Sequence, residues 1–271
     1  GLEAACTAAE VGCNTFLLEK GADLGGLASL ISRIPAKKRL ADFPHYLMHR
    51  AEQLDNLYIF KNTEGTPENI RKFHPNIIVS STGSAPLLPP IAGLKDRIDN
   101  EDYNIYSILG MISHINDFPK DLEGKKVVVV GGGAVGLDVV EFFADRNADI
   151  SIVEMMDQIG RDLDPVSKND TKTMMKKHNV HQLTKTALLE VKDSSFLVKG
   201  EGEPYELPFE YGFVCLGMRA QGQLYQSLTE EFSSEDVEIM NIGDSQRARR
   251  IIDGTQEGRN ILTVLEQKGY L

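Results

Sequence analysis

At 271 residues, with 41% hydrophobic and 25% charged residues, the chain has the make-up of an ordinary folded protein of one or two domains, which excludes a largely disordered or fibrous role. A formal charge of −11 and a pI near 5.1 repel polyphosphate, so nucleic acid is not an expected partner; the only dense basic run, Arg247, Arg249 and Arg250, is too short to change that. Cys6, Cys13 and Cys215 are an odd, scattered set without C-x-x-C or metal-ligand spacing, and no run of about 18 apolar residues exists, so no disulfide framework, metal site or membrane span is expected and a cytoplasmic location is.

The chain opens on Gly1-Leu2-Glu3, followed by the apolar stretch Phe16-Leu17-Leu18 ending in Glu19, and then by Gly25. Residues 76–80 are a strand-like apolar run that opens into Ser81-Thr82-Gly83-Ser84-Ala85-Pro86. Residues 86–91 and 99–120 carry prolines and mixed polarity, as linkers and irregular crossovers do, and a domain boundary is placed near residue 105.

Residues 125–154 then read strand, glycine turn, helix, strand. An uninterrupted β-branched run at 127–130 suits a strand buried on both faces, and Gly131-Gly132-Gly133-Ala134-Val135-Gly136 follows it as a G-x-G-x-x-G. Residues 137–144 place apolar side chains at helical spacing, and 150–153 form a second strand ending in Glu154. This is the context a dinucleotide fingerprint demands. Gly131 permits the tight turn, Gly133 lets backbone approach a pyrophosphate, and Gly136 lets the helix pack closely, while the helix N-terminus faces the phosphate charge and Glu154 accepts from ribose hydroxyls. Because a carboxylate at 154 repels a 2′-phosphate, and Met155 and Met156 supply no cation to bind one, NADH is expected over NADPH.

A strand at 212–216 ends in Gly217-Met218-Arg219 and closes this second domain. A strand at 237–240 leads into Asn241-Ile242-Gly243-Asp244, and residues 253–266 read as a final helix. Asp244, at the carboxyl end of a strand, suits a polyhydroxyl chain, although a Gly-Asp pair there also serves as a plain turn.

The chain start repeats this pattern at an offset of 135 positions. Gly1-Leu2-Glu3 matches Gly136-Leu137-Asp138, Phe16-Leu17-Leu18-Glu19 matches Ser151-Ile152-Val153-Glu154, and Gly25 matches Gly160. Gly1 therefore reads as the third glycine of another fingerprint whose strand and first two glycines lie outside the chain. The expected fold is α/β with two Rossmann-like dinucleotide-binding domains, the first lacking its N-terminal strand: residues 1–104 with 231–271, and an inserted domain at 105–230.

Taken in order, these segments resemble the flavoproteins with two dinucleotide-binding domains, which are glutathione-reductase-like. More specifically they resemble the C-terminal flavoprotein part of the 2,4-dienoyl-CoA reductase, 2-enoate reductase and NADH oxidase family. Residues 19–26, 81–86, 153–164 and 216–219 carry the resemblance, with Ile242-Gly243-Asp244 through Arg249-Arg250-Ile251-Ile252-Asp253 and Glu257-Gly258 the most family-specific. The resemblance implies FAD in the first domain, contacted by Gly1, Glu19, Lys20, Gly25, Gly26, Thr82, Gly83, Gly243 and Asp244, with Glu19 on the adenosine ribose and Asp244 on the ribityl chain. It implies a nicotinamide dinucleotide on Gly131, Gly133, Gly136, Glu154 and Gly217. It also implies an upstream barrel with FMN and a four-cysteine iron–sulfur (4Fe-4S) cluster, none of which is in this chain, so no acid or base for the final substrate is assigned.

With no cysteine pair to take electrons by thiol–disulfide exchange, they are expected to pass to another centre, namely the FMN/iron–sulfur barrel of an NADH-dependent enoate or dienoyl-CoA reductase. A free-standing NADH oxidase or ferredoxin-type reductase with a separate acceptor is the second reading, and a non-catalytic nucleotide-fold module the third; self-association into a homo-oligomer is left open. The six histidines are expected at the surface, and the His178/His181 pair lacks a third ligand for a metal.

Overall fold

The valines at 127–130, none more than 3% exposed, form the middle of a five-stranded parallel sheet, and burial on both faces is why no polar residue interrupts them. In the computed structural model, which describes residues 1–271, this strand is Lys126–Val130, flanked by Tyr211–Val214 and Asp149–Val153, with Ile105–Tyr106 and His181–Leu183 at the two edges. Every pairing in it is parallel.

Alternation along the strand sends neighbouring valines to opposite layers. Val128 and Val130 pack with Leu94, Phe196, Val198 and Val214 under a three-stranded antiparallel meander formed by Ala187–Val191, Ser195–Lys199 and Tyr205–Pro208. Val129 faces the helix Ala134–Ala144, whose Val139, Val140 and Phe143 are fully buried. Phe143 lies 4.8 Å from the Phe213 ring and takes Phe118 edge-on at 5.1 Å, so truncating it to alanine costs about 3–5 kcal/mol. The meander was not foreseen from the sequence.

The chain divides into two units, residues 1–33, 37–85 and 218–271 in the first, and 34–36 with 86–217 in the second. Apart from the short 34–36 stretch, the crossings therefore fall at 85/86 and 217/218, where composition had suggested about 105 and 230. The reason is that the proline-bearing stretch after residue 86 does not behave as a linker: Ile91, Leu94 and Ile98 enter the meander core, and Val191 N–H donates to Ala92 C=O at 2.8 Å.

In the first unit, Thr15–Leu18 pairs in parallel with Leu57–Phe60, and Ile77–Ser80 with Glu238–Asn241. The helix Leu2–Glu10 brings Ala5, Cys6 and Ala9 against Ala51 and Leu57, and these small side chains let it lie close to the helices Asp42–Glu52 and Ile251–Arg259. A Cβ on Gly258 would stand 3.1 Å from Ala4 N, so alanine fits there only if the helices shift. Glu3, 5% exposed in this seam, accepts from Arg50 at 3.0 Å and Arg259 at 2.8 Å, and Arg50 also reaches Glu10 at 2.6 Å. Burial alone would raise the Glu3 carboxyl, but the hydrogen bonds from Arg259 and Arg50 outweigh it and hold it below the usual carboxylate value. The single helix expected over 253–266 is instead two, Ile251–Arg259 and Ile261–Gln267, divided at Asn260.

Candidate functional site

In the second unit the loop after Lys126–Val130 is shaped by three glycines with three different needs. Gly131 has φ +110°, and a Cβ there would lie 2.1 Å from Cys215 C=O; a Cβ on Gly136 would lie 1.9 Å from Gly131 C=O. Both are demanded by the fold. Gly133 is different, because its φ of −79° and ψ of −178° suit any residue and a Cβ would meet nothing within 4 Å. Open space lies beside Gly133, which is also the N-cap of Ala134–Ala144 with no side chain capping it. The first N–H groups of that helix are thus free to receive an anion.

Glu154, just past the Asp149–Val153 strand, is built into the same loop. Its Oε2 accepts from Gly132 N–H at 2.6 Å and its Oε1 from Met156 N–H at 2.7 Å, which fixes the carboxylate beside the glycine turn. Gly160 N–H donates to Gly132 C=O at 2.7 Å and braces the loop from the other side. Gly217, at φ +102° with open space around it, follows the neighbouring Tyr211–Val214 strand.

The first unit repeats part of this device. Glu19 Oε1 accepts from Gly21 N–H at 2.6 Å, as Glu154 does from Met156, at the same i, i+2 spacing. Gly25 caps the helix Gly26–Ile31 at φ +99°, where a Cβ would collide with Ser29 Oγ at 2.0 Å, and Gly26 at φ +53° faces open space. Lys20 turns to Glu64, 2.9 Å away on the surface.

Gly1, Ser81 and the Gly243–Asp244 turn come together at the carboxyl ends of the Ile77–Ser80 and Glu238–Asn241 pair. A Cβ on Gly1 would lie 2.6 Å from Ser81 Oγ, and Thr82 Oγ1 donates to Gln221 C=O, setting up Gly83 at φ +76°. Asp244 accepts from Ser84 Oγ at 3.1 Å and from Arg249 N–H at 3.0 Å. Gly243, at φ +66°, donates its N–H to Glu257 Oε2 at 2.6 Å, and Glu257 in turn pairs with Arg249 at 2.5 Å. Ser84, Arg249 and Glu257 were not singled out from the sequence as site residues, although they sit in the segments that carried the resemblance.

One buried polar atom here lacks a partner: Ser80 Oγ, in a residue 2% exposed at the end of its strand. A buried hydroxyl without a hydrogen bond calls for a missing partner, and with Gly26 and Gly83 facing open space the loops fit a bound dinucleotide. The three thiols are all free, and burial pushes that of Cys215 up to about 12. No group of three or more His, Cys, Asp or Glu side chains is arranged to hold a metal, and no helix is long and apolar enough to cross a membrane.

The family described as pyridine nucleotide-disulphide oxidoreductase matches residues 47–240. Among characterised proteins, the chain is 26% identical over 259 residues to an NADH oxidase of Thermoanaerobacter brockii, covering 95% of this chain and 38% of that protein. It is 27% identical over 296 residues to a metal reductase of Desulforamulus reducens, covering 96% and 42%. The structure of a 2-naphthoyl-CoA reductase complex superposes with a TM-score of 0.81 at 22% identity, covering 96% of this chain and 37% of that one, a likeness of fold. The chain thus spans about two fifths of the length of the relatives it matches.

Proposed function

Since the chain belongs to the pyridine nucleotide-disulphide oxidoreductase family, whose fold binds FAD and NADH, we propose that its second unit holds NADH, its first unit holds FAD, and its electrons leave to a separate redox centre instead of a thiol pair. The observation that carries the reading is Gly133, a glycine that the backbone angles and the packing do not require and that a pyrophosphate does.

On this reading Gly131, Gly133 and Gly136 set the pyrophosphate over the helix N-terminus, Gly217 borders the same cofactor, and Glu154 takes the hydroxyls of the adenosine ribose. A carboxylate held in place by two amide N–H groups repels a 2′-phosphate, which favours NADH over NADPH. In the first unit Glu19 takes the other adenosine ribose, Gly25, Gly26, Thr82 and Gly83 border the phosphates, and Asp244 takes the ribityl hydroxyls. Ser84, Arg249 and Glu257 hold Asp244 and Gly243 in place. Bound FAD supplies the hydride acceptor and the ability to pass electrons onward singly or in pairs. The chain's own contribution is positioning and the exclusion of a 2′-phosphate.

The onward acceptor is proposed to be an FMN/iron–sulfur domain that reduces an enoate or a dienoyl-CoA. Two facts support it: relatives are more than twice as long as this chain, and a fold neighbour is named for reducing a CoA thioester. Because no thiolate lies on the proposed path, alkylation by iodoacetamide should leave NADH-dependent reduction of ferricyanide by the FAD-loaded chain unchanged. Loss of that activity on alkylation would contradict the reading.

A further inference from the structure

Of the eight methionines in the chain, only Met155 and Met156 are exposed, at 68% and 40%. They are consecutive, and they directly follow Glu154. Met156 is fixed in the site by its backbone: its N–H donates to Glu154 Oε1 at 2.7 Å, and its C=O accepts from Lys185 N–H at 2.9 Å. The other oxygen of the same carboxylate is held by the glycine loop through Gly132 N–H at 2.6 Å. Two exposed thioether side chains thus directly follow, along the chain, the carboxylate assigned to the adenosine ribose.

The base attached to that ribose is flat, aromatic and within reach of whatever lies next to the carboxylate. Thioethers are soft and pack well against aromatic rings, and these two exposed ones directly follow a carboxylate anchored to the glycine loop. We propose that Met155 and Met156 form the platform for the adenine ring, and that they are a sulfoxidation site through which a peroxide weakens dinucleotide binding. The proposal rests on the reading of the second unit as the NADH site.

In the chemical step a lone pair of the thioether sulfur attacks one oxygen of hydrogen peroxide. The O–O bond breaks as the S–O bond forms, the sulfur is oxidised by two electrons, and the peroxide is reduced, leaving as water after a proton shift. The product is a polar sulfoxide where the adenine met an apolar surface. The same geometry predicts protection, because a seated adenine covers both sulfur atoms.

The test is to treat the chain with hydrogen peroxide, with and without saturating NAD⁺, to locate sulfoxides by peptide mass, and to measure the NADH dissociation constant by fluorescence. Oxidation at Met155 and Met156 should raise that constant about tenfold, with NAD⁺ protecting and methionine sulfoxide reductase restoring affinity. The double variant Met155→Leu, Met156→Leu carries no sulfur at these two positions, so whatever its own starting affinity for NADH, peroxide should leave that affinity as it was. Unchanged affinity in a chain with both sulfoxides overturns the proposal, as does equal loss in the double-leucine variant. If the untreated chain fails to bind NADH, the assignment of the second unit falls, and this proposal with it; normal binding both before and after oxidation removes this proposal alone.

Discussion

Alanine at Gly133 and alanine at Gly136 differ by one methyl each at positions three residues apart, yet should fail in opposite ways. At Gly136 the new Cβ would stand 1.9 Å from Gly131 C=O and 3.0 Å from its carbonyl carbon, both backbone, with Val129 Cγ1 at 3.5 Å behind. Nothing flexible can yield, so the helix must move off the sheet, at a cost of about 1–3 kcal/mol or more. At Gly133 the Cβ meets nothing within 4 Å and φ is −79°, so the fold should lose no more than about 1 kcal/mol, the scale of a changed N-cap. That methyl instead occupies the space where the pyrophosphate approaches the backbone, and NADH affinity should fall about tenfold to a hundredfold, roughly 1.4–2.7 kcal/mol. Urea unfolding separates the stability effects, and fluorescence titration with NADH the binding effects. Gly133→Ala binding NADH like the parent, or unfolding as readily as Gly136→Ala, would refute the argument that a ligand requires this glycine.

Three further outcomes follow from the same geometry. Exchanging Glu154 for serine with Met155→Arg should lower the preference for NADH over NADPH by about tenfold or more in binding titrations, since it removes the fixed carboxylate and adds a cation for the 2′-phosphate. Asp244→Ala should weaken FAD retention without lowering the melting temperature by more than a few degrees, because Asp244 accepts only Ser84 Oγ and one backbone N–H; retention equal to the parent would free Asp244 of its assigned role. Glu3, whose carboxyl is held low in the folded chain, stabilises the fold above its ordinary value of 4.5, and that contribution is lost as pH falls through the lower folded value. The difference in unfolding free energy between the parent and Glu3→Gln should therefore shrink as pH is lowered from 6 toward 3, and a difference constant across that range would contradict it.

What the sequence disclosed was whatever a strict local rule imposes. A strand buried on both faces must be apolar throughout, so the valines at 127–130 announced the sheet centre; a tight strand-to-helix turn leaves no space for a Cβ, so Gly131 and Gly136 were legible as turn residues, with Glu154 at the end of the next strand. The meander escaped because Ala187–Val191, Ser195–Lys199 and Tyr205–Pro208 are short and mixed in polarity, and only packing against Val128 and Val130 decides their inward faces. The crossing points escaped for a similar reason: Ser84–Pro86 and Met218–Ala220 are three residues each, too short to show a period, and they find each other across more than a hundred positions. The break at Asn260 left the apolar spacing on either side intact, so one helix was read where two exist. In the site, the clamp of Ser84 and Arg249 on Asp244, and of Glu257 on Gly243, joins segments up to 160 residues apart, and no spacing rule connects them.

The account stands most directly on whether this chain holds a flavin that NADH can reduce. The purified chain should be supplied with FAD, freed of excess, and followed near 450 nm under anaerobic conditions as NADH is added. The account predicts retained flavin absorbance that bleaches with about one equivalent of NADH, as a two-electron acceptor requires, and far less readily with NADPH. A chain that retains FAD but whose absorbance is untouched by excess NADH would contradict it.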